Sequence, residues 1–226
     1  MAVTGGPDPI VTDGLIVYYD PGNVQSFNLG VATVTDLMGN NNATSYGTIS
    51  SSFGDKNGFN TNAATNYIQI AGTSAGPIYD RGTGDFAVEV WAANNGDSSN
   101  YQWLMSNWSS NKGIHMGVLT GTNFGTYFGS SGEVNSSFSI PADGTWHHYV
   151  MYRDGSTVYF YVDGESKGNF SNSSTLASTT NTRMGSRGNN TLQSWQGTIG
   201  PTKIYNRALT AAEIFQNYNS SKDRFQ

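Results

Sequence analysis

The chain has 226 residues, a length that suits one large β domain, and 36% apolar with 13% aromatic residues are enough to build its core. Net charge is −5, only 12% of residues are charged, and the few basic ones do not cluster, which argues against a nucleic-acid partner. Cysteine is absent, so disulfides, thiolate metal sites and cysteine nucleophiles are excluded, and no stretch approaches the ~20 apolar residues of a membrane span.

Residues 1–13, MAVTGGPDPIVTD, carry a Gly-Gly pair and two prolines without periodicity. They read as an extended arm ahead of a globular domain over 14–226, with Pro7, Pro9 and Ile10 as candidate assembly contacts. The start shows no basic segment followed by an apolar run, so no signal peptide is expected. Leu15 to Tyr19 is a β-rich run closed by the turn residues Asp20-Pro21-Gly22-Asn23. Short strands and long loops are expected over 36–66, followed by a strand at 67–70.

In Phe86-Ala87-Val88-Glu89-Val90-Trp91, Phe86, Val88 and Val90 face one way and Glu89 and Trp91 the other. Further strands are expected at 103–105, 114–119, 124–128 and 134–140. Two β-rich runs flank Asp154-Gly155, the signature of a hairpin, and Asp163-Gly164 turns the chain again. Both faces of the first run carry aromatics, which leaves its inward set open. Thr210 followed by Glu213 forms a capping box, with Leu209 and Ile214 as its hydrophobic staple. One short helix is expected at 211–218.

Four stretches in this order resemble the laminin G-like group of concanavalin A-like domains. They are FAVEVWA at 86–92, TWHHYVMYRDGSTVYFYVDG at 145–164, the Met184-Gly185 pair, and WQGTIGPTKIYNRALTAAEI at 195–214. The resemblance implies an all-β, two-sheet antiparallel jelly-roll sandwich with one short C-terminal helix and its terminal strands close together. The opening, PIVTDGLIVYYDPGN followed by TDLMGNNNAT, resembles the start of such domains in tailed-phage structural proteins. Where many relatives carry an acidic residue after Gly-Thr-Ile, this chain has Gly200-Pro201, which puts a metal ligand or contact in that turn in doubt.

The same fold hosts glycosidases, which need two carboxyl groups ~5–9.5 Å apart. Similar β-glucanases carry Glu-x-Asp-x-x-Glu on one strand, and here that strand has Glu89 alone. Asp85 lies on the same face, but the strand rise places its Cα roughly 13 Å away. Asp163 and Glu165 flank a turn glycine. No catalytic residue is assigned, and no enzyme is expected.

The adjacent His147 and His148 point to opposite faces of a strand and cannot chelate one ion. Asp20, Asn23, Asp36, Asn40 and Asn41 offer oxygen donors of the kind relatives use for calcium. These are also default turn residues, so no cofactor is expected and no calcium ligand is assigned. Tyr101, Trp103 and Trp108, with Gln102 and Asn107, form a candidate glycan platform, although the alternation over 102–105 makes some of them core.

The implied function is a non-catalytic virion surface protein of a tailed phage, either a head decoration (cement) protein or a tail-attached component. Its partners would be other capsid or tail proteins. The alternative is a carbohydrate-binding, lectin-like adhesin module whose partner is a host-surface glycan. Neither reading involves nucleic acid or a membrane.

Overall fold

The computed structural model describes residues 9–28, 30–49, 52–53, 56–70, 81–96, 101–108, 112–177, 181–188 and 193–226. Among them the first strands are β1 (Leu15–Tyr19), β2 (Thr33–Val34), β3 (Ala43–Tyr46), β4 (Ser52–Phe53), β5 (Lys56–Asn57), β6 (Phe59–Asn60) and β7 (Tyr67–Ile70). The middle of the chain supplies β8 (Phe86–Asn94), β9 (Gln102–Ser106), β10 (Ile114–Val118), β11 (Asn123–Phe128) and β12 (Glu133–Ser139). Then come β13 (Trp146–Asp154), β14 (Thr157–Val162), β15 (Glu165–Ser171), β16 (Arg183–Met184) and β17 (Gly197–Tyr205). Two helices close the chain, α1 (Ala211–Asn219) and α2 (Lys222–Phe225).

One sheet runs β1-β17-β8-β13-β14-β15, with β6 also paired to β17. The other runs β12-β11-β10-β9-β16-β7-β3-β2, and β4-β5 forms a separate ribbon. The pairings are antiparallel, and β1 lies against β17, so the two ends of the domain meet as the jelly roll requires.

The alternation of β8 is confirmed. Phe86, Val88, Val90 and Ala92 enter the main core, where they meet Leu104, Met116, Val118, Phe124 and Phe128 of the opposite sheet. The other face of β8 is buried as well. Ala87 joins Val150, Tyr152, Tyr205, Leu209 and Ile214 in a second cluster, while Trp91 packs on Trp146 and Phe225 in a third. The C-terminal helices therefore act as a third layer over the β1–β15 sheet. That layer also resolves β13: Tyr149 and Met151 point into the sandwich, and Val150 and Tyr152 point under the helix.

The helix starts as its sequence dictates. Glu213 N donates to Thr210 Oγ1 at 3.2 Å, and Thr210 N donates to Glu213 Oε2 at 2.9 Å. Leu209 and Ile214 are both buried in the second cluster, as a staple should be. The hairpin between β13 and β14 turns through Gly155, whose φ of +57° suits glycine. α2 was not anticipated; it sets Phe225 against Trp91 with ring centroids 4.7 Å apart. Among the described residues, no helix is long and apolar enough to cross a membrane.

Two expectations are corrected. The arm over residues 1–13 does not stand apart from the body beyond Pro9; Pro7 lies outside the described residues. Gln216 Nε2 donates to Pro9 O, Ile10 packs on the second cluster, and Val11 is buried there. The backbone of Val11 is held on both sides, its N–H by Asn217 Oδ1 (2.8 Å) and its carbonyl by the Tyr205 hydroxyl (3.0 Å). Two apolar side chains and a helix offering polar groups to an unpaired backbone are sufficient reason for docking. Gly200-Pro201 is not a turn either. It lies within β17, where the register against β8 shifts between Ile199 and Thr202, a bulge that tolerates the missing proline N–H.

Candidate functional site

The β12–β2 sheet has a core face and an outer face, and its outer face carries the candidate site. In β9, β10 and β11 the residues Leu104, Met105, Ile114, Met116, Phe124 and Phe128 fill the core. Trp103 beside Leu104, His115 between Ile114 and Met116, and Tyr127 beside Phe128 project the other way. A bulge aids this: Met116 pairs with Met105 but Gly117 pairs with Trp103, so Leu104 and Met105 both turn inward.

Outward rings from adjacent strands meet. Trp103 stacks on His115 (centroids 4.1 Å, 14°), and His115 stacks in turn on Trp108 (5.2 Å, 21°). Tyr101 stacks on Trp103 at 5.7 Å, and Tyr127 stands edge-on to Trp108 at 5.5 Å. Together with Arg187 and Gln193 these five rings line a pocket of about 260 Å³.

The sequence-derived trio of Tyr101, Trp103 and Trp108 is thus brought together, but not as three exposed faces. Trp103 is only 1% exposed and forms the middle of the stack, its Nε1 donating to Gln193 Oε1 at 3.0 Å. Tyr101, Trp108 and Tyr127 are the partly exposed aromatics. The amides expected to assist them serve the fold instead. Gln102 Oε1 accepts from Asn94 Nδ2 and Gln196 N, and Asn107 Oδ1 accepts from Ile114 N. Gln193, from a loop the sequence reading did not single out, lines the pocket in their place.

His115 is buried, and its protonation state is fixed by its neighbour. Ser106 Oγ accepts from Gly188 N (3.0 Å) and Trp108 N (3.4 Å), which takes up both its lone pairs and turns its proton to His115 Nδ1, 2.7 Å away. Nδ1 is then an acceptor and the ring is the neutral Nε2–H tautomer. Burial, helped by the positive charge of Arg187, pulls the pKa down to about 2. His115 therefore acts as a flat aromatic surface rather than as a charge.

Opposite it, burial and the hydrogen bond with Tyr101 push the Tyr127 phenol up, so it also stays neutral. Glu133 at the rim is committed: it accepts from Tyr101 OH (3.0 Å) and from Thr120 N (2.9 Å) and Oγ1 (3.1 Å).

The remaining candidates lie elsewhere. His147 pairs with Asp163 at 2.6 Å, and His148, on the opposite face, stacks beside Trp91. Asp36 accepts four backbone N–H groups, from Tyr18, Met38, Asn40 and Asn41, and Asp20 makes a two-point pair with Arg224. These loop carboxylates are spent on shaping loops and holding α2. Among the described residues, no three His, Asp or Glu side chains gather as a metal site. Asp85 caps the β13–β14 turn by accepting from Gly155 N at 2.8 Å, away from Glu89.

Two facing antiparallel sheets, joined termini and an aromatic pocket on one outer face define the class: a concanavalin A-like jelly-roll domain. A laminin G family model, described as the concanavalin A-like lectin/glucanases superfamily, matches residues 60–215, and the chain belongs to that family. Domain 4 of AbnA, a GH43 extracellular arabinanase from Geobacillus stearothermophilus solved with arabinotriose, shares the fold with a TM-score of 0.68. It is 18% identical, and the match covers 94% of this chain and 98% of that one.

The binding domain of botulinum neurotoxin DC in complex with SialylT matches with a TM-score of 0.69 at 13% identity, over 92% of this chain and 52% of that one. Trypanosoma rangeli sialidase in complex with the inhibitor DANA matches with a TM-score of 0.68, also at 13% identity. That match covers 99% of this chain and 37% of the sialidase chain. At such identities these similarities concern the fold. No curated protein matches the chain.

Proposed function

We propose that the chain is a non-catalytic carbohydrate-binding module and that the pocket of Tyr101, Trp103, Trp108, His115 and Tyr127 is its binding site. One observation carries the reading: five rings from three adjacent strands and their flanks converge on one pocket with a guanidinium and an amide beside them. Sugar rings offer C–H faces that stack on aromatics and hydroxyls that pair with polar groups at the rim, which is the composition found here. The arabinanase domain and the toxin binding domain were solved with arabinotriose and SialylT, which supports sugar binding as a use of this fold. A glycosidase needs two carboxyl groups across the scissile bond. None is among the residues lining this pocket, and Glu133 at its edge is already held by Tyr101 and Thr120.

The test is a glycan array probed with the wild type and with Trp108→Ala. Binding that is lost in the variant without a change in thermal unfolding supports the assignment. Unchanged binding by the variant contradicts it.

The opening stretch at 9–23 supports a second, compatible proposal: that the module is displayed on the virion surface of a tailed phage, where its glycan belongs to the host. Mass spectrometry and immunogold labelling of purified particles would find the chain on the head or tail. Its absence from particles would reject the placement and leave the binding reading intact. Ile10 and Val11 pack on the body, so any assembly contact by this segment would be made from a docked rather than a free strand.

A further inference from the structure

We infer that the pocket selects sugars bearing a carboxylate, with Arg187 as the residue that reads the anion. This rests on the glycan-binding reading and narrows it to acidic sugars.

Arg187 is an exception among the arginines of this chain. Arg153 is fully buried, and its guanidinium donates to Gly84 O, Gly82 O and Ser174 O. Arg207 pairs with Glu213 and Asp13, Arg224 pairs with Asp20, and Arg183 donates to Gln69 Oε1. The Arg187 side chain shows no hydrogen bond or ion pair with any described residue, and its Nε is buried without an acceptor. The rest of the side chain is partly exposed at the pocket, where an incoming anion meets the guanidinium.

The position is held rather than loose. Arg183 Nη1 donates to the Arg187 carbonyl at 3.3 Å, and the next N–H, that of Gly188, donates to Ser106 Oγ at 3.0 Å. The peptide group that follows this side chain is thus held through both its carbonyl and its N–H.

Charge points the same way. Of the residues lining the pocket, His115 is neutral and the tyrosines are uncharged, which leaves Arg187 as the one full charge on a chain of net charge −5. Glu133, at the pocket's edge, is bonded to Tyr101 and Thr120 and forms no ion pair with Arg187. A planar guanidinium pairs best with a planar carboxylate through two parallel hydrogen bonds, while the sugar ring occupies the aromatic wall.

The experiment uses the whole chain and an array of oligosaccharides printed in matched pairs, each with a free hexuronate or nonulosonate carboxylate or its methyl ester. Neutral and sulfated sugars are printed alongside. The expected result is a preference of about tenfold or more for free acid over ester. Arg187→Gln and Arg187→Met should lose it while keeping the wild-type unfolding midpoint. Equal binding of acid and ester by the wild type overturns the inference and leaves the glycan reading standing, as does an acid preference that survives both variants. Sulfated sugars bound as tightly as carboxylates would overturn the carboxylate assignment in favour of a general anion contact. Wild type that binds no printed sugar defeats the glycan reading and the inference with it.

Discussion

Lys203 places its Nζ 3.4 Å from Glu89 Oε2, with both side chains sealed from solvent at the junction of β17, β8 and α1. Asn217 of α1 donates to the same carboxylate at 2.9 and 3.0 Å, and its Oδ1 receives the Val11 N–H. The Tyr205 hydroxyl accepts from Asn217 and donates to the Val11 carbonyl. One buried polar network thus fastens the helix and the leading segment to the outer face of the sheet. Burial alone would push the Glu89 carboxyl up, but Lys203 and the other donors outweigh it and hold it below the usual carboxylate range.

Glu89→Gln therefore leaves Lys203 buried and unpaired, and is expected to destabilise the protein by about 3 kcal/mol. Urea denaturation at neutral pH measures this. A midpoint within error of the wild type would mean that the pair contributes nothing. No sugar-binding change is expected at constant folded fraction, because Glu89 does not line the aromatic pocket.

Thr210→Ala removes the oxygen that receives the Glu213 N–H, and is expected to cost about 1 kcal/mol. The partner carboxylate adds a pH signature. The hydrogen bond from Arg207, opposed by partial burial and aided by Thr210, lowers Glu213 to about 2 from an ordinary 4.5. A depressed acid stabilises above its unfolded value and loses that contribution as pH falls through its folded value. The stability gap between wild type and Glu213→Gln should be full above pH 4.5 and close as pH falls towards 2. A gap that is flat across this range would show that Glu213 is not held by Arg207.

His115 gives the opposite kind of group, a base kept neutral. Its ordinary value is 6.5 and its folded value about 2, so below pH 6.5 the unfolded chain takes up a proton that the folded chain refuses. Stability should fall on acidification from pH 6.5 to 5, by up to about 1.4 kcal/mol per pH unit from this residue. His115→Phe keeps a ring between Trp103 and Trp108 and removes the titration, so its stability should depend less on pH over that interval. Denaturation series for the two proteins at several pH values would show equal slopes if His115 were solvated.

Much of the fold was legible because its signals are local. The alternation of 86–91, the glycine turn after Asp154 and the Thr210–Glu213 capping box are all written within a few residues. The second buried face of β8 was not legible, since only the folding back of α1 and α2 covers Trp91 and Ala87. Likewise the docking of Val11 depends on Asn217, more than 200 residues away. In the site, Tyr101, Trp103 and Trp108 were found as aromatics close in sequence. His115 and Tyr127 could have been found by carrying the same alternation onto the next two strands. Arg187 and Gln193 lie in a loop without periodicity, and only the tertiary fold brings them to the pocket.

The central claim is that sugar binds at the Trp103–Trp108 pocket, and the five tryptophans make it directly measurable. Each indole N–H gives one resonance in a nitrogen–proton correlation spectrum, assignable by single Trp→Phe substitutions. When an oligosaccharide that binds on the array is titrated in, the Trp103 and Trp108 signals should move and saturate together. Those of Trp91, Trp146 and Trp195, buried in the sandwich or under the C-terminal helices, should stay in place. Saturable binding that shifts Trp91 or Trp146 instead, or that leaves the Trp103 and Trp108 signals unmoved, would contradict the account.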